Sequence, residues 1–186
     1  MKAYILKVLI YCLLCLPLSL SLKAQQIIVS PMPFLDKLPL NSIFNLYQDR
    51  QGFIWMGTAY GLERYDGYDI QSFINNYKNP RKLSHNDIRS FTEDDDFLWI
   101  GTVKGINLMN KLTYEIASFP DSILQEKEIK DLYCDWKGNI WVAIEKSLLR
   151  CDSQIGVLKE YPIKNEASSF FEDREGNLWF LTWNGD

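Results

Sequence analysis

The segment at residues 49–67 reads "DRQGFIWMGTAYGLERYDG", and altered copies of it return three more times along the chain. These copies read "DDDFLWIGTVKG" at 94–105, "DWKGNIWVAIEKSLLRCD" at 135–152 and "DREGNLWFLTWNGD" at 173–186. Their tryptophans lie 44, 42 and 38 residues apart, at Trp55, Trp99, Trp141 and Trp179. A period near 40 residues predicts a repeated supersecondary unit.

Each copy begins with alternating apolar and polar residues, as in "SIFNLYQD" at 42–49, which is typical of a strand with one buried face. A turn follows, running from Asp49 to Gly52 in the first copy. Asp is expected to accept backbone hydrogen bonds there, and Gly supplies a positive φ. The copy at 94–105 lacks the turn glycine, so its turn must differ.

A second strand carries the tryptophan and, two residues later, a small residue that leaves room for a close neighbour. These small residues are Gly57, Gly101 and Ala143, and the next turn begins at Gly61, Gly105 and Ser147. Two further short strands complete each unit. The sequence therefore predicts an all-β fold of four-stranded antiparallel units, with no segment of helical periodicity.

Such units at this period indicate β-propeller blades, because a twisted four-stranded sheet buries its faces only by stacking on its neighbours. We place the repeats at about 41–83, 84–126, 127–165 and 166–186, giving three full blades, a partial fourth and an incomplete ring. The shared register of the four tryptophans predicts that they pack in the core rather than bind ligand.

The first 24 residues differ in kind from the repeats. Lys2 and Lys7 precede an apolar run at 8–22, which has the length of a secretory signal and ends near Ala24. We predict a cleavable signal peptide at 1–24, periplasmic export and a mature domain at 25–186, with an uncleaved anchor as the alternative. Loss of three lysines moves the net charge from −4 to −7, which argues against a nucleic-acid partner.

Two cysteines fall in the mature part, Cys134 and Cys151. Both lie in apolar strand patterns, where a buried thiol is common, although export would also permit a disulfide between them. The sequence leaves both possibilities open.

The repeated pattern resembles the two-component regulator propeller repeat. The match is close at Asp49–Gly67 and Trp99–Asn110, looser at 135–152 and truncated at 173–186. The stretch "NNYKNPRKLSHNDI" at 75–88 also resembles the usual link between the first two such repeats. The resemblance covers most of residues 41–186.

This resemblance implies the periplasmic sensor of a hybrid two-component system, in which propellers precede a membrane helix, a histidine kinase and a DNA-binding output. Many such sensors are similar in responding to oligosaccharides. Because seven blades are usual in this family, we expect the chain to be the N-terminal fragment of a larger sensor. The kinase and the membrane segment would belong to the missing C-terminal part, and the full-length receptor would be a homodimer.

The sequence offers no catalytic constellation. His85 is the single histidine and lies in a polar link, where a solvated role is expected. The acidic run at 93–96 coincides with a repeat turn and lacks a calcium-loop pattern. We therefore predict no enzyme activity, no metal and no cofactor.

Ligand-binding residues are expected where the copies depart from one another. On propellers, the loop after the second strand and the link between blades usually share the ligand-facing rim. The first set of loops contains Tyr60, Lys104, Lys146 and Trp183. Flat aromatic faces suit sugar rings, and lysines suit acidic sugars. Trp136, an unusual aromatic in a first turn, should lie on the opposite rim.

The sequence thus favours a ligand-sensing propeller fragment whose partner is an oligosaccharide or another small extracellular molecule. One alternative is a fragment of an exported propeller enzyme, of the polysaccharide lyase or dehydrogenase type. Another is a propeller scaffold for protein interactions, which would prefer exposed apolar patches.

Overall fold

The computed structural model describes residues 43–75 and 83–183, so the predicted signal peptide lies outside the described residues. The first sheet contains β1 (Ile43–Gln48), β2 (Ile54–Thr58), β3 (Leu62–Tyr65) and β4 (Ile70–Phe73). The second contains β5 (Ile88–Glu93), β6 (Phe97–Thr102), β7 (Gly105–Asn110) and β8 (Ile116–Ser118). The third contains β9 (Asp131–Cys134), β10 (Ile140–Ile144), β11 (Ser147–Asp152) and β12 (Gly156–Pro162). The fourth pairs β13 (Ala167–Glu172) with β14 (Leu178–Thr182).

The strands of every sheet are antiparallel and follow one another in chain order. Consecutive sheets meet through their first strands, since β1 contacts β5, β5 contacts β9 and β9 contacts β13. This arrangement confirms the prediction of three full blades and a partial fourth in an open ring. In the described part of the chain, a 3₁₀ turn at Ser122–Leu124 lies between the second and third blades, and it was not predicted.

The first three repeat tryptophans each pack against the blade that follows their own. Trp55 shares a buried cluster with Ile88 and Phe91 of the second blade, and Trp99 packs with residues of the third blade in the same way. Trp141 is only half-buried, against the fourth blade. Trp179 is 58% exposed, because no described strand lies beyond β14 to cover it. The predicted core packing therefore depends on the presence of a following blade.

The small residue after each tryptophan marks the closest approach between blades. A Cβ placed on Gly57 would lie 3.1 Å from Cγ2 of Ile88, the first residue of the next blade's inner strand. In the third blade the glycine is replaced by Ala143, and the residue that packs there is Ala167 instead of an isoleucine. At each of these two interfaces, the residue after the tryptophan and the first residue of the next blade are therefore matched in size: glycine with isoleucine, and alanine with alanine.

The turn aspartates do more than the sequence predicted. Oδ1 of Asp49 accepts the backbone N–H groups of Gln51 and Phe53, as expected for a turn. Its Oδ2 accepts the indole N–H of Trp55 at 2.7 Å, a bond that sequence analysis did not anticipate. The same bond recurs in the other copies between Asp94 and Trp99, Asp135 and Trp141, and Asp173 and Trp179.

The shortened second turn keeps this bond. Its backbone closes between the N–H of Asp94 and the carbonyl of Phe97, 3.0 Å apart.

In the fourth copy, hydrogen bonds from Trp179 and Asn177 lower the pKa of Asp173 to about 2. The tryptophan bond is therefore made to the ionised carboxylate, and it weakens as the pH falls towards that value.

One carboxylate is buried without full compensation. Glu63 on β3 is fully buried and accepts a hydrogen bond from the Ser72 hydroxyl, while its second oxygen has no hydrogen-bond partner. Burial raises the pKa of Glu63, and the bond from Ser72 only partly opposes this effect.

This burial gives a pH-dependent prediction. Because the folded-state pKa of Glu63 is raised, its ionisation costs stability as the pH rises through that pKa. We expect Glu63→Gln to be more stable than the parent chain at pH 7, and the difference to vanish below about pH 4. Urea denaturation at both pH values checks this, with Glu115→Gln on the surface as a control. An equal gain at both pH values would contradict it.

The two cysteines are free. Cys151 is buried and Cys134 is half-buried, which agrees with the buried-thiol alternative. Burial raises the pKa of Cys151 to about 12, so this thiol stays protonated at neutral pH.

Candidate ligand-binding site

The blades present two different rims. The link rim consists of the loops at 59–61, 103–104 and 145–146, together with the links at 119–130 and 163–166. The turn rim consists of the turns at 49–53, 94–96, 135–139 and 173–177. Loops and links of the link rim are tied by backbone bonds, such as Ile163 N–H to the carbonyl of Lys146 and Trp183 N–H to that of Glu166.

A charged cluster joins two links on this rim. Nζ of Lys130, at the start of the third blade, lies 2.9 Å from Glu128 and 2.6 Å from Glu166. Partial burial disfavours the ammonium charge, but the bonds to Glu166 and Glu128 outweigh it and raise the pKa of Lys130. The lysine is therefore a fixed cation that connects the link before the third blade to the link after it.

Two cavities adjoin this cluster and share its three residues. The first, of about 610 Å³, extends outward over the loop at Ile144–Ser147. The second, of about 620 Å³, which we call the axial cavity, lies along the beginnings of the first strands of the blades and reaches Trp183. Both volumes fall in the range typical of small-molecule sites. The charged cluster therefore lies between the two cavities and can form hydrogen bonds into both, and the exposed indole of Trp183 borders the second cavity.

Four side chains from equivalent positions line the axial cavity. They are the second residues of the inner segments, Phe44, Arg89, Lys130 and Ser168. All four differ, so the repeat symmetry is broken at this position. The differences among these four residues are visible in the sequence, but the sequence pattern of the loops alone does not point to them.

The structure brings together some of the predicted binding residues. Lys146 lines the outer cavity and Trp183 the axial one. Lys104 is paired with Glu126, a residue of the outer cavity, at 2.9 Å. Tyr60 is 51% exposed and lines neither cavity, because its loop lies beside Phe73 and Ile74 in the first blade. All four remain predictions as ligand contacts.

Trp136 lies on the turn rim, as predicted, and lines two cavities on that side, of about 360 and 730 Å³. His85 has a local structural role, since its Nδ1 accepts the backbone N–H of Asp87 at 3.0 Å. Residues 43–75 and 83–183 contain no group of three metal-ligating side chains. In the same part of the chain, no helix is long and apolar enough to cross a bilayer.

Comparison with known proteins agrees with the propeller fold. The model of the family described as "Two component regulator propeller" matches residues 37–60 and 162–184. Histidine kinase P4 of Formosa agariphila is 32% identical over 69 residues, covering 36% of this chain and 5% of that protein.

Two solved structures from B. thetaiotaomicron have similar folds. The extracellular domain of the putative one-component system BT4673 superimposes with a TM-score of 0.62 at 25% identity, over 77% of this chain and 22% of that one. The extracellular domain of the putative hybrid two-component system BT3049 gives 0.59 at 22% identity, over 74% and 20%. The chain thus spans about a fifth of these domains and a twentieth of the kinase.

Proposed function

Because the chain carries two-component regulator propeller repeats, we propose that it forms part of an exported, ligand-sensing propeller that responds to carbohydrate. Export through a cleavable signal peptide places this sensor in the periplasm. The likeness to extracellular sensor domains supports this location. The chain itself has no catalytic role, and a kinase and a transcriptional output act downstream of it.

The observation that carries the proposal is the broken symmetry of the link rim. The cluster of Lys130, Glu128 and Glu166 offers both a donor and acceptors between two cavities. Sugar hydroxyls need donors and acceptors together, and an indole such as Trp183 suits the flat face of a sugar ring. Lys146 borders the outer cavity and extends the site to a second sugar unit.

Ligand binding at this cluster would act on the spacing of blades. Lys130 holds the links on either side of the third blade, so a ligand that competes for its carboxylates changes how those links are tied. In the full-length receptor, such a change would bias the arrangement of two paired sensors and hence of the kinase dimer.

Isothermal titration calorimetry of the mature chain tests this function. The probes are neutral oligosaccharides (cello-, xylo- and malto-oligosaccharides) and oligogalacturonate. We expect one or more to bind, and Trp183→Ala and Lys130→Met each to weaken that binding by about tenfold or more, as loss of a stacked ring or a charged hydrogen bond implies.

The matched control is Tyr68→Ala, which removes an exposed aromatic from the other side of the first blade and should leave the affinity unchanged. Absence of binding by every probe would contradict the proposed function. So would binding that neither link-rim variant weakens.

A further inference from the structure

We propose that the turn rim carries a second binding site, for an uncharged sugar ring, in the cavity bordered by Tyr47, Tyr133 and Trp136. This cavity has a volume of about 730 Å³ and is lined by the inner strands of the first three blades. It shares none of the lining residues of the cavities on the link rim. The site is therefore separate from the one proposed above.

The cavity borders an interface at which the recurring glutamate contact between blades is replaced. Glu93 of the second blade accepts the backbone N–H of Arg50 in the turn of the first, at 2.8 Å. Glu172 of the fourth blade accepts that of Trp136 in the turn of the third, at 3.0 Å. At the interface between the second and third blades, the equivalent residue is Cys134, which lines the cavity. Cys134 supplies no carboxylate to the neighbouring turn, and its side chain instead borders the cavity.

The charged groups around this cavity are already compensated. Both oxygens of Asp131 accept backbone N–H groups, from Leu132 and Phe170. Asp135 is held by the Trp141 indole and its own turn.

The remaining charged side chains of the lining contact other groups of the protein as well. Glu93 is bound by Lys111 and by the N–H of Arg50, whose guanidinium pairs with Asp95. Lys137 lies over the ring of Trp136 at 5.1 Å. Because each of these charges already contacts a hydrogen-bond donor, an ion-pair partner or, for Lys137, the Trp136 ring, an ionic ligand gains little here, and an uncharged one is favoured.

The aromatic side chains supply the contact surface. Trp136 is 68% exposed at a turn position that the other copies fill with Arg50, Asp95 and Arg174. A Cβ on Gly176 of the next turn would lie 2.6 Å from its Nε1, so the neighbouring backbone buttresses the indole edge. Tyr47 and Tyr133 line the cavity beside it. A held, exposed indole beside this cavity suits one face of a sugar ring.

Calorimetry with the same neutral oligosaccharides and oligogalacturonate tests the second site. Trp136→Ala removes the platform, and Cys134→Met fills the cavity while keeping an apolar side chain. We expect each to weaken binding of a neutral probe by about tenfold or more. Trp183→Ala, on the opposite rim, should leave this binding event intact, and the parent chain should bind two equivalents of a probe that fits both rims.

Tighter binding of oligogalacturonate than of every neutral probe at this site would overturn the proposal. Unchanged binding of all probes in both Trp136→Ala and Cys134→Met would overturn it as well. A thermal melt of each variant verifies that it is folded. Because Trp183→Ala and Trp136→Ala report on different rims, failure of one site is distinguishable from failure of the other.

Discussion

Replacing Asp49 with alanine is expected to destabilise the chain by roughly 2–4 kcal/mol. The carboxylate binds the buried indole N–H of Trp55 and two backbone N–H groups of its turn. Alanine leaves the indole donor without its acceptor inside the first interface between blades, where Trp55 is buried. Urea denaturation followed by far-ultraviolet circular dichroism measures the loss.

Asp66→Ala is the matched control for this prediction. Asp66 also caps a turn, through the N–H groups of Tyr68 and Asp69, but these bonds are exposed and no tryptophan is involved. Its loss should cost clearly less stability than the loss of Asp49. Equal destabilisation by the two variants would show that the tryptophan bond adds nothing beyond the turn.

The second large effect concerns the size match between blades. Gly57→Ala forces a methyl group against Ile88, and Ile88→Ala opens a cavity beside Trp55. We expect the first change to cost about 1–3 kcal/mol and the second about 2–5 kcal/mol. The double variant recreates the pair formed by Ala143 and Ala167 in the third interface.

The double variant should therefore be more stable than the sum of the single effects implies, by about 0.5–3 kcal/mol. The same urea titrations provide this coupling energy. A control pair, Gly57→Ala with Ile129→Ala, combines residues from two different interfaces and should be additive. If the stability losses of Gly57→Ala and Ile88→Ala simply add in the double variant, the proposed size match between these two residues is refuted.

The period of the tryptophans and the alternation in each first strand are local signals, and they predicted the blades correctly. The bond between Asp49 and Trp55 is almost as local, yet it was missed. The turn alone is a sufficient reason for an aspartate at that position, so nothing in the pattern required a second partner. In the structure, Oδ1 of Asp49 accepts the backbone N–H groups of the turn, and Oδ2 accepts the buried indole N–H of Trp55.

The site was harder to predict because it depends on the stacking of blades. Lys130 and Glu166 are far apart in sequence and meet only when the third blade places its two links side by side. Period and alternation carry no information about distances between links. The sequence predicted Tyr60 and Trp183 as members of one site because their loops are equivalent in the repeat. In the structure, the Tyr60 loop borders neither link-rim cavity.

The central claim is that the link rim, where the repeat symmetry is broken, binds carbohydrate, while aspartate–tryptophan bonds hold the repeats. The six tryptophans allow one kind of spectrum to test both parts. Four indole N–H groups are bound to turn aspartates, and those of Trp136 and Trp183 are on the surface. We would record ¹H–¹⁵N spectra of the mature chain while adding the neutral oligosaccharides. The account predicts that the Trp183 indole and Lys130 amide signals move while the Trp55 and Trp99 indoles stay fixed. Spectra in which no link-rim signal moves with any probe would contradict it.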